Sequence, residues 1–162
     1  MDSEAKYFLE TYKHIVTVQA WVLAANESLM RRAYIHDLSK LEEPEASGFR
    51  AMTADARLKD LTYGSEEYKA VLREHKPTVD HHYANNDHHP EHFEDGVDGV
   101  GLLARMSLLQ LLEMLCDWKA STSRMKDGDL MRSIDVNAKR FGYGPELQMI
   151  LENTARELGM VP

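Results

Sequence analysis

From Glu4 to Leu29 the apolar side chains Phe8, Tyr12, Ile15, Val18, Val22, Ala25 and Leu29 recur in steps of three or four. That spacing puts them on one stripe of an amphipathic helix. A second short helix is predicted over Met30 to Asp37. Ser39 with Glu42 and Glu43 then marks the start of another segment, which ends at Gly48 or runs past it. Thr62 to Gly64 reads as a turn, with Ser65 capping a helix from Glu66 to about His75. Pro77 kinks that helix or opens the next, which covers Thr78 to Asn86. Residues His88 to Gly99 hold Pro90, Gly96, Gly99 and four acids and read as a loop. Helix resumes from about Leu102 to Met125. Two further amphipathic stretches, Asp129 to Phe141 and Pro145 to Leu158, are separated by Gly142 and Gly144 and stop near Gly159. Strand-like alternation is absent, and no repeat or linker interrupts the pattern. The expected fold is all-α: a single domain over residues 1–162, built as one bundle of about six or seven helices.

Composition narrows the function classes. The 162 residues are 43% hydrophobic and 28% charged, ordinary for a globular chain. Nineteen Lys and Arg stand against 27 Asp and Glu, a formal charge of −8, which disfavours a duplex nucleic-acid surface. A small phosphorylated substrate stays open, because a bound dication supplies positive charge locally. The longest apolar stretch, Val100 to Trp118, is interrupted by Arg105, Gln110, Glu113 and Asp117 and so reads as a core helix, not a membrane span. With the single cysteine Cys116 and no signal peptide in the first residues, a cytoplasmic setting is expected.

The histidines carry the chemistry. Six of eight, His75, His81, His82, His88, His89 and His92, fall within residues 75–92. Imidazole and carboxylate together are the donor set of a transition-metal site, although clustering alone equally describes a solvated polar loop. His36 and Asp37 are adjacent after the apolar lead-in Ala33-Tyr34-Ile35. His14 lies beside the apolar stripe of the first helix. Asp117 sits among Leu111, Leu112, Met114, Leu115 and Trp118, where an acid is costly to bury unless it is paired or metal-bound, and Glu113 is one turn earlier.

The order His14, His36-Asp37, the histidine cluster and Asp117 resembles the HD superfamily of metal-dependent phosphohydrolases. There a histidine, an adjacent His-Asp pair and a distant aspartate from separate helices hold a metal. The resemblance covers roughly residues 14–117, the expected metal-site core, and leaves the C-terminal helices of 126–162 outside it. His36 to Lys40, followed by His88-His89-Pro90-Glu91 and Asp95-Gly96, is also similar to the HD-GYP branch, which cuts cyclic dinucleotides. The Gly-Tyr-Pro of that branch is missing, with Val97-Asp98-Gly99-Val100 in its place, so its substrate is not carried over. The stretch His81 to His92, with Glu113-Met114 and Asp117-Trp118, looks closer to small uncharacterised proteins of phages and bacteria.

The resemblance implies a phosphohydrolase acting on a nucleotide or another small phosphoester. One or two divalent ions, manganese, iron, zinc or nickel, would be held by His14, His36, Asp37, His82, His88, His89 and Asp117. It implies that Asp37 bridges a second ion and that Lys40 reaches a phosphate. His75 and Glu113 become candidates for proton transfer or for orienting the ligands. Asn86, Lys119 and Arg124 are candidates for lining a pocket. Two rivals remain at this level: an HD-like di-iron oxygenase, and a non-catalytic protein whose metal only staples the bundle.

Overall fold

The computed structural model describes residues 2–55, 57, 61, 65–93, 102–124 and 127–161. The sequence-predicted turn at 62–64 and the second half, 94–99, of the loop predicted over residues 88–99 lie outside the described residues, as does the Asp95-to-Val100 stretch set against the HD-GYP branch. Among the described residues every regular element is helical, with seven α-helices: α1 (Ser3–Ile35), α2 (Glu45–Ala54), α3 (Glu66–Glu74), α4 (Lys76–Asn85), α5 (Leu108–Ser123), α6 (Leu130–Phe141) and α7 (Pro145–Glu157). The all-α expectation holds. None of these helices is long and apolar enough to cross a membrane. The chain divides into two compact units, residues 1–35 and 36–162.

The first unit is α1 alone. The sequence predicts a break near Met30, but the helix runs on to Ile35. Leu29-Met30-Arg31-Arg32-Ala33 are all good helix formers, and no glycine, proline or capping residue interrupts them. Its apolar stripe does not make a core face: α1 has no buried residue, and Tyr12, Val18, Trp21 and Val22 are all exposed.

The second unit begins where α1 stops. Asp37 takes a left-handed conformation (φ 58°), one of the few that a short polar side chain tolerates, and a 3₁₀ turn over Leu38–Leu41 follows. Gly48 does not end α2. It lies inside the helix because α4 passes there, and a β-carbon at that position would collide with the Thr78 side chain. Pro77 sits in the first turn of α4, where its missing N–H costs nothing. The helix expected from Leu102 is split into a 3₁₀ turn, Leu102–Arg105, and α5. Ser107 caps α5 through a capping box: its hydroxyl accepts from the Gln110 N–H, and the Gln110 side chain accepts from the Ser107 N–H. Asp129 caps α6 in the same spirit, accepting from the Met131 and Arg132 N–H groups, and Gly142 closes that helix with φ 69°.

The core of this unit gathers Leu103, Met106, Leu111, Met114 and Leu115 with Leu130, Ile134, Phe141, Leu151 and Ala155. It therefore lies among α5, α6, α7 and the turn before α5. Two polar ties hold the segment after α4 against this core. The Gln110 amide donates to Asp87 (2.6 Å), and Arg140 on α6 pairs with Glu91. Residues 88 and 89 are fixed between those anchors.

Candidate metal centre

Four places in the second unit supply the side chains of the site. His36 and Asp37 come from the turn after α1, His82 from α4, His88 and His89 from the connection after α4, and Glu113 and Asp117 from α5, one turn apart. The left-handed backbone at Asp37 aims its carboxylate at the histidines. Oδ1 is 3.3 Å from His82 Nε2 and 3.5 Å from His88 Nε2, while Oδ2 is 3.4 Å from His36 Nε2 and pairs with the Lys40 ammonium. His82 Nε2 and His89 Nε2 stand 3.0 Å apart, and Asp117 Oδ1 is 3.9 Å from His36 Nε2.

These atoms form three overlapping groups able to hold an ion: Asp37 with His82, His88 and His89; His36 with Asp37 and Asp117; and His36 with His88 and Glu113. Asp37 belongs to the first two and offers them different oxygens. The arrangement therefore has room for one ion or for two bridged by Asp37.

The outward faces of the rings are held by carboxylates. Glu113 Oε1 accepts from His36 Nδ1 at 2.9 Å and lies 3.3 Å from His88 Nδ1. Glu45, 1% exposed, accepts from His82 Nδ1 at 2.9 Å. With its proton on Nδ1, each such neutral ring presents a bare Nε2 lone pair to the centre. Two buried atoms there, Asp37 Oδ1 and His88 Nε2, have no hydrogen-bond partner. Two facing acceptors buried 3.5 Å apart repel each other unless a cation or proton lies between them.

Charge leads the same way. Asp37, Glu45, Glu113 and Asp117 crowd the region, with the Lys40 ammonium paired to Asp37. Burial pushes the Asp37 carboxyl up, but the paired Lys40 ammonium and the neighbouring His36 hold the acid below its ordinary range. The hydrogen bond to Glu113 raises His36. Burial lowers His88 and drives His89 down to about 2, so both rings are neutral and ready to donate a lone pair at physiological pH.

Of the residues singled out in the sequence, the structure brings His36, Asp37, His82, His88, His89, Glu113 and Asp117 together, with Lys40 beside them. His14 is an exposed residue of α1, in the first unit, and the groups above are drawn from residues 36–117. His75, at the start of α4, stands outside them with Asp55 as its neighbour (Nε2 to Oδ2 3.5 Å). His92 donates to the Tyr83 carbonyl. Asn86 serves to tie elements together. Its amide donates to Ser39 Oγ (2.9 Å) and to the His82 carbonyl (2.8 Å), which ties the end of α4 to the turn carrying Asp37. Glu45 was not visible in the sequence as part of the site.

A cavity of about 680 Å³ opens beside the centre. His89 and Asp117 form part of its wall, with Tyr83, Trp118, Arg124 and Arg132. Its size is that of a small-molecule site.

In comparison with known proteins, the family described as a family of unknown function (DUF5662) matches residues 3–158. No curated protein and no solved structure matches the chain.

Proposed function

The chain belongs to DUF5662, a family of unknown function, so its activity has to be read from its own residues, and we propose that it is a metal-dependent phosphohydrolase acting on a nucleotide or another small phosphoester. The observation that carries this reading is the pair of buried, unpartnered acceptors, Asp37 Oδ1 and His88 Nε2, ringed by His82, His89 and His36. Convergent lone pairs are what a divalent transition ion needs. Such an ion supplies a water acidic enough to attack at neutral pH, and it neutralises phosphoryl charge.

In this reading His36, Asp37, His82, His88, His89 and Asp117 are the ligands of one or two ions, with Asp37 shared. Glu113 orients His36 and His88. Lys40 is placed next to Asp37 to take a phosphoryl oxygen. The cavity walled by His89, Asp117 and Trp118 receives the organic part of the ester, and its contact with two of the ligands favours a catalytic ion over a purely structural one. The order His36-Asp37, the histidine cluster and Asp117, the part of the resemblance to the HD superfamily that does not depend on His14, is what selects phosphoester hydrolysis among metal chemistries. A cytoplasmic setting belongs to the same proposal.

Elemental analysis of the purified protein beside His36→Ala and Asp37→Ala tests the centre. Wild type should carry manganese, iron, zinc or nickel and both variants should lose it. Equal, negligible metal in three folded proteins refutes the site. Phosphate release from nucleotides, cyclic nucleotides and generic phosphoesters, assayed with each metal, then tests the chemistry. Oxygen uptake by the iron-loaded protein without phosphate release from any ester rejects the hydrolase.

A further inference from the structure

Glu45 is a carboxylate enclosed almost completely, at 1% exposure, and three donors converge on it. His81 Nδ1 meets Oε1, and His82 Nδ1 and Ser39 Oγ meet Oε2, each at 2.9 Å. Each side chain that reaches Glu45 does so with a group able to donate, so the carboxylate is the acceptor and the His82 proton belongs on Nδ1. The Asn86 amide is also 3.0 Å from His82 Nδ1, but it directs its two N–H groups to Ser39 Oγ and the His82 carbonyl. That leaves Glu45 as the acceptor for this ring. The edge of Phe49 packs against the imidazole (centroids 5.4 Å apart, planes at 88°) and resists its rotation.

We propose that Glu45 is a positioning residue of the metal centre, which fixes His82 with a bare Nε2 facing Asp37 and His89 and, through its negative charge, makes that nitrogen a stronger ligand. The inference rests on the metal reading above and adds to it. A ligating imidazole is oriented and made more basic by the carboxylate behind it, and loss of that partner typically lowers metal affinity by about 10–100-fold. His75 meets Asp55 rather than Glu45 and belongs to none of the proposed ligand groups, so its loss should leave the affinity unchanged.

The experiment uses zinc as the probe, with affinity measured by chelator competition on the full-length protein. Glu45→Gln keeps the side-chain shape and an acceptor for His82 and Ser39 but removes the charge. It should bind zinc about tenfold or more weakly while its circular dichroism stays native, and His75→Ala should bind as wild type does. Two-bond ¹H–¹⁵N spectra of the metal-free wild type should place the His82 proton on Nδ1, a signature that a purely structural Glu45 would not require. That spectrum decides the matter even if Glu45→Gln fails to fold. Wild-type zinc binding with unchanged affinity in folded Glu45→Gln, or a His82 proton on Nε2, overturns the role of Glu45 alone. No zinc binding by wild type overturns the metal reading itself.

Discussion

Asp37 and His88 hold the two unpartnered atoms of the site, and the histidines around them divide by what stands behind each ring. His88 has Glu113 behind it and Asp37 in front, whereas His75 has Asp55. His88→Ala should therefore abolish metal binding while His75→Ala retains a wild-type metal content, as read by elemental analysis of the two variants side by side. Asp55 also gives a pH prediction. The Arg57 guanidinium bonded to it, opposed by burial and helped by His75, holds its carboxyl well below the ordinary aspartate range. A depressed folded pKa adds stability above the unfolded value near 4, and that stability is lost as the pH falls through the folded value. The melting temperature of Asp55→Asn should thus trail wild type at neutral pH, and the gap should narrow in acid. Glu45 shows where reading residues from sequence stops. It follows Glu42 and Glu43 in one acidic run at a helix start, and only the fold distinguishes the buried Glu45 from its two exposed neighbours.

At the scale of elements, local chemistry decided most boundaries and tertiary packing decided the rest. α6 and α7 were legible because Asp129, Gly142, Gly144 and Pro145 are start and stop signals whose physics is local. The start of α5 was equally marked by Ser107 and Gln110, but the apolar run from Leu102 hid it. Ser107→Ala removes one half of that capping box and should lower stability by about 1 kcal/mol in denaturant titration. Gly48 is the opposite case: read from sequence it looks like a stop, and only the approach of Thr78 on α4 shows why a glycine is needed inside α2. Gly48→Ala, which raises helix propensity, should nevertheless destabilise the protein by about 1–3 kcal/mol, because the added methyl overlaps a neighbouring side chain. A stabilised Gly48→Ala would mean that α2 and α4 do not pack this closely. The stripe on α1 was legible as a helix but not as a core face, since periodicity reports amphipathicity and says nothing of what covers it.

At the scale of the molecule, the proposed centre is a cross-link. His36 and Glu113 lie 77 positions apart in sequence yet share a hydrogen bond, and the proposed ligands come from the turn after α1, the end of α4, the connection that follows it and the middle of α5. The unfolded chain has no such cage, so an ion held by these residues stabilises the folded state by mass action, about 4 kcal/mol when free metal is a thousandfold above its dissociation constant. For a chain of this size that corresponds to a rise of about 10 °C in melting temperature. Metal added to the chelated protein should produce that rise in wild type and none in Asp37→Ala, with the gain growing with the logarithm of free metal. The same titration separates a catalytic ion from a staple. If turnover of a phosphoester follows the occupancy that the melting curve reports, the ion that holds the turn, α4 and α5 together is also the one that acts. If stability rises with metal while no ester is cleaved under any metal, the centre is structural and the cavity beside His89 and Asp117 serves some other ligand.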